Sequence, residues 1–88
     1  MKKIALFPGS FDPFTIGHYS LVKRALSIFD EIIIAIGINT TKDNYSDIDD
    51  RKKNIEKIFE EENEKIKVIV YKDLTADIVE KEKATCIL

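Results

Sequence analysis

Residues 31–37, Glu-Ile-Ile-Ile-Ala-Ile-Gly, form an almost continuous, isoleucine-rich apolar run. β-Branched side chains favour extended backbone. A strand without polar alternation has no face to turn to water, so it must be covered on both sides, as in a parallel sheet. Parallel neighbours need crossover connections long enough to hold a helix. This heptapeptide therefore restricts the chain to α/β architectures.

The rest of the sequence supplies the parts. Ile4–Phe7 is a short apolar run stopped by Pro8-Gly9, a strand ending in a turn. From Gly17 to Phe29 the apolar positions Leu21, Val22, Ala25, Leu26 and Phe29 recur at helical spacing, with Lys23 and Arg24 facing solvent. Ile38–Ser46 is a polar loop. Asp47 has the features of a helix N-cap, with Asp50 as its capping-box partner, and Ile55, Ile58 and Phe59 give that second helix a narrow apolar stripe. Glu60–Glu62 reads as a solvated, frayed helix end, because acidic groups oppose the dipole there. Lys65–Tyr71 is a third strand, Thr75–Lys83 a third helix with Ile78, Val79 and Glu82 in register, and Ala84–Leu88 a fourth strand holding a buried Cys86. The expected fold is a Rossmann-like, doubly wound parallel sheet, its first four strands joined by three helices within one domain over 1–88. An apolar strand with no cap or polar tail after it reads as the N-terminal portion of a longer domain.

Composition narrows the function. Fourteen Lys+Arg against sixteen Asp+Glu leave a net charge of −2. That is unlike a general nucleic-acid binder, which needs a basic face. One cysteine excludes an internal disulfide and a cysteine-built zinc site. The apolar runs 32–36 and 66–71 fall well short of the ~18 residues of a membrane span. Only four apolar residues separate Met1-Lys2-Lys3 from Pro8, too few for a signal-peptide core. A cytoplasmic protein is expected.

Ligands of doubly wound folds bind beyond the carboxyl ends of the strands, so the loop after the first strand is the first candidate site. It reads Pro8-Gly9-Ser10-Phe11-Asp12-Pro13-Phe14-Thr15-Ile16-Gly17-His18 and leads into the first helix. Gly9 lets the backbone turn sharply and approach a ligand. Ser10 offers a hydroxyl and an N–H. Gly17 leaves space at the helix start. Thr15 and His18 share one face of the first turn, where free N–H groups and the positive dipole end attract phosphate. A His there can donate to phosphate oxygens during phosphoryl transfer, and it is expected to make few core contacts. A lone His at a helix start would be an ordinary polar residue; the eleven-residue string directly after a strand is far more specific. Asp12 could be a metal ligand, but a turn-forming Asp before Pro13 is the simpler reading.

That string resembles the signature of the nucleotidyltransferases that carry a Thr/His-x-Gly-His motif. Within them the chain is most similar to the phosphopantetheine adenylyltransferase family. The residues concerned are Phe7–Pro13, Thr15-Ile16-Gly17-His18, Phe29-Asp30-Glu31, Lys42, Arg51 and Asp73-Leu74-Thr75. The resemblance implies transfer of adenylyl from ATP to 4′-phosphopantetheine, giving dephospho-coenzyme A and pyrophosphate, with Mg²⁺ as cofactor and a homohexameric complete protein. It implies that Ser10, Phe11 and His18 bind ATP, with His18 stabilising the transition state. Ser10, Lys42 and Thr75 would bind phosphopantetheine. It assigns no protein metal ligand. The family more often has Thr in place of Ser10, which keeps the hydroxyl. Its Arg-Gly-x-Arg segment and a Ser-rich helix start would follow Leu88. The alternative expectation is a non-catalytic nucleotide-binding half-domain or inert fragment.

Overall fold

The computed structural model describes residues 2–38, 45–72 and 82–88. Strand β1 (Ile4–Gly9) leads to helix α1 (Ile16–Ala25), strand β2 (Glu31–Gly37), helix α2 (Tyr45–Ile58), a 3₁₀ turn at Glu60–Glu62, strand β3 (Ile66–Tyr71) and strand β4 (Cys86–Ile87). All pairings are parallel, and the sheet order is β3-β2-β1-β4. The architecture is the α/β, Rossmann-like sheet expected from the isoleucine run. Of the expected third helix, Thr75–Lys83, residues 75–81 lie outside the described residues, and 82–83 form a turn.

Both described helices share one face of the sheet. Val22 and Ala25 of α1 and Ile55 of α2, with Phe59 just beyond it, pack against Ala5, Phe7, Ile32, Ile34, Ile36, Ile66 and Val68. Ile4, Leu6, Ile33 and Ala35 point to the other face and are buried as well. Residues Ile32–Ile36 are thus covered on both sides, which is why no polar residue interrupts them.

Several boundaries differ from the sequence reading. β1 runs on through Pro8 and Gly9, paired with Ala35 and Ile36. Proline is tolerated because β4 pairs only with Ala5 and Leu6, leaving no described neighbour to miss its N–H. Helix α1 stops at Ala25 rather than Phe29, because Ser27 Oγ donates to the Arg24 carbonyl at 2.7 Å and the chain tightens into turns. Phe29 still packs against the core, but Leu21 is 40% exposed. Helix α2 begins at Tyr45, so Asp47 lies inside its first turn rather than at the cap, where its charge still favours the dipole. In its stripe Ile55 and Phe59 are buried and Ile48 joins them, while Ile58 is half exposed. The Glu60–Glu62 segment is a hydrogen-bonded 3₁₀ turn rather than a frayed end, and Glu62 meets Lys23 of α1 at 2.7 Å. Cys86 is exposed rather than buried, because β4 is a two-residue edge strand.

From β3 the chain returns across the sheet to lie beside β1 on its free side. The strand order therefore reverses between β1 and β4. The crevice beyond the carboxyl end of β1 is the switch point at which such sheets bind ligands.

Candidate active site

The loop leaving β1 is built around Phe11. Its ring is buried among Phe7, Phe14 and His18, with centroid separations of 5.0, 5.4 and 5.1 Å. Its φ of 48° lies in the left-handed region, which costs a residue with a Cβ about 1–2 kcal/mol. Gly9 serves this ring rather than a sharp turn. Its own φ is not positive, and a Cβ there would stand 2.9 Å from Phe11 Cζ. What Phe11 can offer a nucleotide is accordingly its backbone. Ser10 is exposed at the end of β1, and the Asp12–Pro13 peptide is cis.

Thr15 caps α1. Its hydroxyl accepts the His18 N–H at 3.3 Å, and its own N–H donates to His18 Nδ1 at 2.9 Å, closing a capping box. This second bond fixes the imidazole. With Nδ1 serving as acceptor, the neutral ring carries its proton on Nε2, which remains available as a donor. His18 is half-buried and touches the rings of Phe7, Phe11 and Phe14, more core contact than a helix-start residue suggests from sequence. The first turn of α1 holds no acidic residue, and Lys23 and Arg24 stand in its last turn. Nothing in that first turn offsets the positive end, where N–H groups lack intrahelical partners. Gly17 is open: a Cβ would make only an ordinary 3.6 Å contact with Thr15 Oγ1.

Helix α2 reaches this loop through Arg51. Its Nη1 donates to the Ser10 carbonyl at 3.2 Å, and Nη2 lies 3.6 Å from Asp12 Oδ2. The Asp12 carboxylate thus faces a guanidinium. A cavity of about 600 Å³ opens between the loop and α2, lined by Phe11, Phe14, Asp50, Asn54 and Ile58 among others. It adjoins the loop through Phe11, Asp12 and Arg51, while Ser10 and His18 are not among its lining residues. Among the described residues no group of three or more His, Cys, Asp or Glu side chains could hold a metal ion.

The structure brings Ser10, Phe11 and His18 together at the carboxyl end of β1. Lys42 and Thr75 lie outside the described residues. Two features escaped the sequence reading. The Thr15–His18 capping box carried a signal, since Thr followed three residues later by a polar side chain is the capping-box spacing. The Arg51 contact spans 41 residues and left no local trace.

The profile of the cytidylyltransferase-like family matches residues 6–88. The chain belongs to the cytidylyltransferase-like family. Individual relatives within reach narrow the comparison. The phosphopantetheine adenylyltransferase of Flavobacterium johnsoniae is 49% identical over 88 residues, covering all of this chain and 57% of the relative. That of Bacteroides thetaiotaomicron is 50% identical with the same coverage. That of Francisella tularensis subsp. novicida is 42% identical, again across the whole chain and over 54% of the relative. The chain spans a little over half the length of the curated relatives it matches. The matched residues run from within β1 through β4 and take in the Ser10–His18 loop.

Proposed function

We propose that the protein transfers the adenylyl group of ATP to 4′-phosphopantetheine, giving dephospho-coenzyme A and pyrophosphate. The observation that carries this reading is the Ser10–His18 loop, with a donor imidazole fixed at a helix start on the sheet's switch point. The names of the relatives supply the two substrates. In the reaction a phosphate oxygen of phosphopantetheine forms a bond to the α-phosphorus, and the bond from that phosphorus to the bridging oxygen of the β-phosphate breaks. Pyrophosphate leaves with the electron pair. The nucleophile is already anionic at neutral pH, so positioning and charge stabilisation suffice without a strong base. His18 donates from Nε2 to the oxygens whose charge rearranges, the N–H groups opening α1 do the same, and Ser10 adds a hydroxyl. Lys42 and Thr75 hold the phosphopantetheine phosphate and arm. Magnesium, when bound, would supply further neutralisation of the nucleotide's phosphate charge. A homohexamer in the cytoplasm belongs to the same proposal.

The test is pyrophosphate release by the protein as its gene encodes it, with MgATP and each of several phosphate acceptors. Release that requires 4′-phosphopantetheine supports the proposal. ATP binding without release would favour a nucleotide-binding protein that does no chemistry.

A further inference from the structure

We propose that Arg51 is the positioning residue of the Ser10–Asp12 loop, holding the Ser10–Phe11 peptide in the orientation that the phosphate site needs. The inference rests on the nucleotidyl-transfer reading above. Ser10 is exposed, so packing does not fix it. Phe11 stands at φ 48°, and a flip of the peptide before it would return that angle to the ordinary extended region while leaving its ring in place. Strain thus favours the flip, and something must oppose it. Arg51 does so by donating to the Ser10 carbonyl at 3.2 Å. In this trans peptide the Phe11 N–H then points away from α2, opposite to the carbonyl. A flip would turn that donor toward α2 and present a carbonyl oxygen in its place. An oxygen there repels phosphate where an N–H attracts it.

The guanidinium suits the task. Its side chain is only 10% exposed, and its planar fork reaches Ser10 and Asp12 together, as an ammonium cannot. It is also well anchored. Ile55, one turn further along α2, is 1% exposed, and Phe59 beyond it is equally buried. The position of the loop is in this way referred to the core through α2.

The experiment compares wild type, Arg51→Lys, Arg51→Met and Asp12→Asn in the protein as its gene encodes it. The amide-to-Hα NOE within Phe11 is strong at positive φ and reports the peptide's orientation without ligand. ATP titration reports binding, and melting reports stability. Arg51→Met should lose the NOE and weaken ATP at least tenfold with folded protein in hand. Arg51→Lys should stay several-fold weak although it keeps the charge, and Asp12→Asn should change little because the Ser10 bond remains. A retained NOE in Arg51→Met, wild-type ATP affinity in that variant, or full rescue by Lys would each overturn the clamp. Wild-type protein that binds no ATP would instead remove the nucleotidyl-transfer reading, and the NOE comparison would still decide whether Arg51 holds the peptide.

Discussion

His18 occupies the third position of α1 and does two separable things. Its Nδ1 closes the capping box with Thr15, and its Nε2 is left to donate. Glutamine can also accept the Thr15 N–H from that position but has no imidazole donor at the Nε2 site. His18→Ala should therefore cost about 0.5–2 kcal/mol of stability through the lost cap, and ~10²–10³ in kcat through the lost donor. His18→Gln should recover most of the stability and none of the turnover. Thermal melts alongside pyrophosphate release separate the two, and a glutamine variant with near-normal kcat would reject the donor role. The two glycines of the loop also part company. Gly9→Ala forces a Cβ against a ring that is 3% exposed, and overpacking of this kind costs about 1–3 kcal/mol. Gly17→Ala meets no such obstacle and should raise stability by up to about 1 kcal/mol through helix propensity. Denaturant unfolding of both variants checks the contrast, and equal effects would refute it.

Elements were readable in the sequence wherever one local pattern decided them. The run Ile32–Ile36 announced a doubly covered strand because no polar residue breaks it, and β2 occupies the expected residues. Ends were less readable, since they depend on partners distant in sequence. Pro8 stays in β1 because of where β4 stops, and Glu62 is ordered because Lys23 arrives from α1. The Ser10–His18 loop was recognisable as a string, but its contact with α2 was not. Two element-level contacts also carry charge. Tyr71, at the end of β3, packs its ring over Gly37 of β2, and burial raises its hydroxyl above the ordinary 10.0. The hydrogen bond that Lys23 donates to the Glu62 carboxylate raises Lys23 above 10.5. In both cases the folded protein keeps its proton to higher pH than the unfolded chain. Their contributions are complete below those values and are lost as pH climbs through the raised ones. Melting temperature should fall in alkali, and Tyr71→Phe should make that fall shallower. An unchanged slope in the phenylalanine variant would show that Tyr71 contributes nothing to it.

Taken as a whole, the molecule places its Ser10–His18 loop where two directions of winding meet, with β1 between the β2–β3 pair and β4. No helix among the described residues is long and apolar enough to cross a membrane. The two flanks of β1 are not alike. On one side β2 follows α1 directly. On the other, Thr85 reaches back 81 residues to Ile4, its Oγ1 accepting the Ile4 N–H at 3.1 Å and donating to the Ile4 carbonyl at 2.9 Å. Closing so long a loop costs entropy before any bond repays it, and the nearer pairs do not wait for it. The expected order of assembly is that β1, β2 and β3 condense first and the β4 segment docks after the rate-limiting step. Thr85→Val should then speed unfolding, by the ~0.5–1.5 kcal/mol that each of its two lost hydrogen bonds is worth, and leave the refolding rate almost unchanged. A chevron whose refolding arm drops instead would put this long-range seam inside the folding nucleus.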